Sequence, residues 1–92
     1  MIELPRDDVE KQEILSKIME KFEDKKYNED EVNSIIQGFD VDDYALVRRE
    51  LVNFGYLGKD SYEGTYWVKT KKLSSEEIER IRERQGKIAK ID

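Results

Sequence analysis

Hydrophobic residues recur at the helical spacing of about 3.6 residues in three stretches of the first half of the chain. The first stretch predicts a helix at about residues 8–23, with Asp7 or Asp8 as its cap. The apolar face of this helix consists of Ile14, Leu15, Ile18, Met19 and Phe22.

The second and third helices are predicted from their end signals. Asn28, followed three residues later by Glu31, resembles a capping box, so helix two should start after Asn28. It should end at Gly38, in a left-handed backbone position, and Asp42 should start helix three, which runs to the C-terminal glycine Gly55. The buried face of helix two is predicted to contain Val32, Ile35, Ile36 and Phe39.

After residue 55 the pattern changes to the period of two that is typical of strands. Residues 56–60 and 65–70 predict a β-hairpin around a polar turn in which Gly64 takes a positive φ. Tyr27 should make a short extended pairing. Because side chains alternate along a strand, one of Tyr66 and Trp67 should be buried and the other partly exposed.

A last helix follows a second capping box, formed by Ser74 and Glu77. No linker interrupts the chain, so residues 73–92 are predicted to be a helical extension of a single domain that spans residues 1–92. Its narrow apolar stripe should pack on the chain's own core, because so small a domain needs the extra burial. We therefore expect a monomer, and a dimer through residues 78–91 is the alternative. The stripe consists of Ile78, Ile81, Ile88 and Ile91.

The predicted order is helix, short strand, helix, helix, strand, turn, strand, helix, which gives an α+β fold. Three helices followed by a two-stranded β-hairpin wing form the winged-helix arrangement, whose third helix usually enters the major groove of DNA while the hairpin contacts the backbone. A four-helix bundle would leave the alternating segment 56–70 unexplained.

The composition of the chain excludes several kinds of reaction and binding site. The chain has no Cys and no His, which removes disulfides, thiolate chemistry, the usual zinc sites and imidazole-dependent hydrolysis, so we expect no enzyme, no metal and no cofactor. Charged residues make up 42% of the chain, but five Tyr, three Phe and one Trp argue against wholesale disorder. No apolar run has the length of a signal peptide or a membrane span, so we expect a soluble cytoplasmic protein.

The net charge of −5 is unevenly distributed. Residues 1–43 hold six Lys/Arg against fourteen Asp/Glu, whereas residues 44–92 hold eleven against eight. The positive excess lies in residues 48–72, with six Lys/Arg against three Asp/Glu. This asymmetry favours an anionic partner for one face, although charged surfaces also serve solubility.

Two adjacent arginines interrupt the apolar pattern of helix three. On a helical wheel Arg48 falls inside the apolar arc, so it should be structural and should pair with a nearby carboxylate or with backbone carbonyls. Arg49 faces outward, where it either contacts a nucleic acid or is solvated, and Glu50 and Asp43 should face phosphates from the same side. Candidate partners of Arg48 are Asp30, Glu31, Asp40, Asp42 and Asp43. Candidate nucleic-acid contacts are Arg49, Asn53, Lys59, Tyr62, Lys69, Lys71 and Lys72.

Between positions 27 and 67 the chain carries a pattern formed by Tyr27, Glu29, Glu31-Val32-Asn33, Asp42 or Asp43, Arg48-Arg49, Gly55 and Tyr66-Trp67. This pattern resembles the family called domain of unknown function 2087. Two positions depart from it: Val47 stands where the family usually has Leu, and Gly58-Lys59 stands where a lone Arg often follows the start of the hairpin. The resemblance implies a winged-helix-like module, found alone or attached to bacterial DNA-binding regulators, with no catalytic residues.

The leading hypothesis for function is a winged-helix protein that binds duplex DNA, either as a transcription regulator or as an accessory domain of one. The alternative is a protein-interaction module that binds a protein partner through the acidic face or the last helix.

Overall fold

The computed structural model describes residues 1–91, and the side chains of residues 1–84. The fold is α+β, with four helices and a three-stranded antiparallel sheet in the order β1-β3-β2. The elements in chain order are α1 (Asp8–Met19), β1 (Tyr27–Asn28), α2 (Glu29–Gln37), α3 (Tyr44–Asn53), β2 (Leu57–Asp60), β3 (Thr65–Val68) and α4 (Ser75–Ile91).

Helix α1 is shorter than predicted. It is capped by Asp7, whose carboxylate accepts hydrogen bonds from the amides of Val9 and Glu10, and it ends at Met19 rather than near residue 23. The next residues continue in tighter turns, in which each amide donates to the carbonyl three positions earlier. These turns still bring Phe22 into the core. Its position therefore fits the apolar face of a helix, and the predicted helix was too long for this reason.

The connection between α2 and α3 differs in two details from the prediction. Gly38 keeps a helical φ of −61°, and the left-handed residue is Asp40, with φ 53°. Aspartate tolerates this conformation better than most residues. Helix α3 begins at Tyr44, because Asp43 rather than Asp42 caps it by accepting a hydrogen bond from the amide of Leu46.

Local turn and capping predictions are confirmed elsewhere. The Asn28–Glu31 capping box is formed in both directions at the start of α2, and the Ser74–Glu77 box precedes α4. Gly55 and Gly64 have φ values of 85° and 70°. The hairpin pairs Leu57 with Val68 and Asp60 with Thr65.

Strand β1 confirms the expected pairing of Tyr27, which lies opposite Tyr66 on β3. Tyr66 is 1% exposed and Trp67 is 37% exposed, so the two aromatic residues divide between the two faces of the sheet as predicted. The core beneath the sheet consists of Leu15, Ile18, Met19, Phe22, Val32, Ile36, Val47, Leu51, Tyr56 and Leu57, together with Tyr27 and Tyr66.

Helix α4 packs against α1. Leu73 and Ile81 join the core and Ile78 is half-buried, so the described part of the apolar stripe is used within the chain. Ile88 and Ile91 lie outside the residues whose side chains are described. Over residues 1–91, no helix combines the length and the apolar character that crossing a membrane requires.

Candidate nucleic-acid interface

A groove of about 460 Å³ lies between α3 and the β2–β3 hairpin. Asp43 lies at its end nearest the start of α3, and Lys59 and Tyr66 contribute the hairpin side. Three of its lining residues are cationic and one is a carboxylate. The α3 side consists of Ala45, Leu46, Arg48, Arg49, Val52 and Asn53.

Arg48 is fixed within this groove by two neighbours on α2. Its Nη1 donates to Oδ1 of Asn33 at 2.6 Å, and its Nη2 lies 3.2 Å from Oε1 of Glu29. The Tyr66 hydroxyl lies 3.5 Å from the same Glu29 oxygen. Arg48 therefore has two of its guanidinium nitrogens engaged by the fold, and its side chain is 22% exposed.

The carboxylate that pairs with Arg48 was not among the five acidic residues named from the sequence. Glu29 follows directly after β1, and β1 pairs with β3, so the sheet carries Glu29 to Tyr66 and to the side of α3 where Arg48 lies. Asn33 follows one turn later on the same face of α2. The pairing depends on a tertiary contact between α2, α3 and the sheet, which a helical wheel of α3 alone does not contain.

Arg49 is exposed and lines the same groove. Among residues 1–84 no side chain or backbone group pairs with its guanidinium, so its five N–H donors have no partner among these residues. Asn53 lies one turn further along α3, and its Nδ2 donates to Oε1 of Glu50 at 3.2 Å, which leaves the amide oxygen and the second amide hydrogen for other partners.

Glu50 was predicted to face phosphates from the same side as Arg49, and this prediction is wrong. Its carboxylate lies 3.0 Å from Nζ of Lys11 on α1, and its side chain is only 12% exposed. Burial lowers the pKa of Lys11, but hydrogen bonds to Asp8 and Glu50 outweigh burial and raise the pKa above its usual value. The expected repulsion between Glu50 and phosphates is therefore largely removed by this ion pair, and Asp43 is the carboxylate that lines the groove.

Lys59 enters the groove from the hairpin. Its Nζ lies 5.7 Å from the centre of the Tyr66 ring, within the range of a cation–π contact, and no carboxylate among residues 1–84 forms an ion pair with it.

Gly58, the residue before Lys59, has a structural role that could not be predicted from the sequence. A Cβ atom on Gly58 would overlap the indole of Trp67, which covers this glycine from the outer face of the sheet.

The remaining predicted contact residues lie outside the groove. Tyr62 is 99% exposed in the hairpin turn, where Asp60 accepts hydrogen bonds from the amides of Tyr62 and Glu63. Lys72 lines a different hollow, between α1 and the start of α4. Lys69 and Lys71 are exposed in the segment after β3. The candidate set therefore divides, with Arg49, Asn53 and Lys59 together and the other four residues elsewhere.

Residues 1–68 match the family described as "Uncharacterized protein conserved in bacteria (DUF2087)", and the chain belongs to this family. The matched region contains the whole groove and ends at the last residue of β3, so Lys69, Lys71, Lys72 and α4 lie beyond it. No curated protein and no solved structure gave a significant match. Four residues of the pattern that carries the resemblance are joined by the contacts of Arg48, namely Glu29, Asn33, Arg48 itself and, through Glu29, Tyr66.

Proposed function

We propose that this member of the DUF2087 family is a winged-helix-like module that binds duplex DNA through α3 and the β2–β3 hairpin. The element order and the sheet order β1-β3-β2 support this assignment, because they place a helix and a two-stranded wing side by side. In this arrangement α3 enters the major groove and the hairpin contacts the sugar-phosphate backbone. The module acts by binding, either as a regulator or as an accessory domain of one.

The groove between α3 and the hairpin carries the proposal. It brings Arg49, Asn53 and Lys59 to one surface, and two of these are cations without a carboxylate partner among the described side chains. Arg49 and Asn53 are one turn apart on α3, which is the spacing that lets two side chains of one helix reach neighbouring base edges or phosphates. Lys59 lies on the hairpin and suits a phosphate.

The acidic composition of the chain limits the strength of binding. A net charge of −5 repels DNA at long range, so the local positive charge of the groove must act at short distance. We therefore expect measurable affinity at low salt and a steep fall as salt rises, because each phosphate contact releases counterions. A steep salt dependence with weak overall affinity is the expected signature.

An NMR titration of isotope-labelled protein with a random duplex at low salt tests this function. We expect the largest shifts at Arg49, Asn53 and Lys59, with smaller shifts at Tyr62 on the hairpin turn, while α1 stays silent. Added salt should reverse the shifts. Shifts confined to α1 or to α4 would contradict DNA binding through the groove.

A matched pair of variants controls the experiment. Arg49→Ala removes the unpaired cation from α3, and Arg80→Ala removes an exposed cation from α4, where it forms an ion pair with Glu76. Arg49→Ala should reduce DNA affinity much more than Arg80→Ala does. If the wild-type protein gives no response to DNA at any salt concentration, the alternative of a protein-interaction module takes its place.

A further inference from the structure

We infer that the groove holds a single phosphate group of the bound nucleic acid, clamped between Arg49 on α3 and Lys59 on β2. This inference rests on the proposed function for the source of the phosphate, but the anion site itself follows from the geometry of the groove. Arg48, although it lines the same groove, is not a ligand of this phosphate.

The first argument is that two cationic side chains of the groove have no carboxylate partner. Arg49 and Lys59 come from different elements of the fold and line one groove, and neither has a carboxylate partner among the described side chains. Two like charges that share a groove repel each other, and an anion between them turns this repulsion into two attractions. A shared anion is therefore the ligand that this pair of cations fits best.

The second argument concerns donor chemistry. The free groups of Arg49, Lys59 and Asn53 supply mainly hydrogen-bond donors, which is what the oxygen atoms of a phosphate need. The carboxylate of Asp43 is the acidic group of the groove, and one of its oxygens accepts the capping hydrogen bond of α3. A cation would require the opposite balance of groups, since metal ions of biological importance prefer oxygen ligands such as carboxylates.

The third argument explains why Arg48 is excluded. Its Nη1 and Nη2 already donate to Asn33 and to Glu29 at 2.6 and 3.2 Å, so the guanidinium is held in place and has fewer free donors than that of Arg49. The ion pair with Glu29 also neutralises much of its charge. Arg48 therefore forms a fixed wall of the groove, and Arg49 and Lys59 make the contacts.

The dependence of DNA affinity on salt concentration measures how many phosphates the protein contacts. The slope of log K against log salt concentration changes by about 0.9 for each phosphate contact. We would compare wild type with Arg49→Gln, Lys59→Gln and the double variant, with Lys21→Gln, at an exposed lysine after α1 and outside the groove, as the control. If both residues clamp one phosphate, the double variant should reduce the slope by about 0.9, whereas two separate phosphates would reduce it by about 1.8. The control should leave the slope within error of wild type.

Side-chain NMR separates Arg49 from Arg48. On addition of duplex, the Nε–Hε resonance of Arg49 should shift, while that of Arg48 stays in place. This readout uses the wild-type protein, so it does not depend on whether an Arg48 variant folds. A larger shift at Arg48 than at Arg49 would overturn the assignment of the clamp.

Inorganic phosphate distinguishes failure of the site from failure of the proposed function. Shifts of Arg49 and Lys59 with phosphate alone, without any response to DNA, would retain the anion site and reject the DNA function. DNA binding with an unchanged slope in the double variant would reject the clamp and retain the function. No response to either ligand would overturn both.

Discussion

Replacing each of the two adjacent arginines by alanine should separate stability from binding. Arg48→Ala removes a 2.6 Å hydrogen bond to Asn33 and a 3.2 Å ion pair with Glu29. Arg49→Ala removes no hydrogen bond, ion pair or ring contact with another described residue. The two variants differ by one position in the same helix, so each controls for the other in helix propensity and in net charge.

The loss of stability expected for Arg48→Ala depends on how exposed the partners of Arg48 are. Hydrogen bonds to charged groups contribute about 1.5–3 kcal/mol when they are buried. Glu29 is 52% exposed and regains water when Arg48 is removed, so its ion pair contributes little. Most of the loss therefore comes from Asn33 and from the packed stem of Arg48, and we expect Arg48→Ala to lower the free energy of unfolding by about 1–2 kcal/mol. Arg49→Ala should stay within about 0.5 kcal/mol of wild type.

Urea denaturation followed by circular dichroism and by the fluorescence of Trp67 measures both variants. Arg48→Ala should lower the midpoint without changing the slope m, because the same surface is exposed on unfolding. Arg49→Ala should keep the wild-type midpoint and lose DNA affinity. Equal midpoints for the two variants, or a lower midpoint for Arg49→Ala, would refute the assignment of Arg48 as the fixed residue.

Three further predictions concern the core. Gly58→Ala should destabilise the protein by more than about 1 kcal/mol and alter the fluorescence of Trp67, because the added methyl group overlaps the indole; unchanged stability and fluorescence would show that the ring moves aside freely. Burial, aided by the charge of Glu77, raises the pKa of Tyr56 to about 12, so the unfolding free energy should be fully retained below pH 10 and fall between about pH 10 and 12, and Tyr56→Phe should reduce this fall. Deleting residues 73–92 should lower stability strongly in a protein whose mass in solution is that of a monomer, whereas a dimer that becomes a stable monomer would make α4 an assembly element.

Local chemistry explains which features of the fold could be predicted. The capping box at Asn28 and Glu31 involves residues three apart, and its two hydrogen bonds form wherever the helix begins. Gly55 and Gly64 were predicted correctly because a left-handed backbone restricts the choice of residue. Where the same argument was applied to Gly38 it was wrong, since Asp40 two residues later takes the left-handed conformation.

Features that depend on neighbours distant in sequence could not be predicted in the same way. The pairing of Arg48 with Glu29 needs the sheet contact between β1 and β3, and the pairing of Glu50 with Lys11 needs the fold to bring the start of α1 beside α3. The requirement for Gly58 depends on the face from which Trp67 covers it. In each case the residue type was visible in the sequence, but its partner was set by tertiary structure.

The placement of carboxylates decides whether an acidic chain can offer an anion site. Glu50 is adjacent to Arg49 in sequence and would oppose a phosphate if it faced the groove, but Lys11 holds it on the α1 side of α3. Glu29 likewise forms its ion pair with Arg48 and not with Arg49. These two ion pairs leave Arg49 as the unpaired cation of α3, so the local charge of the groove follows from the packing of α3 rather than from the composition of the chain.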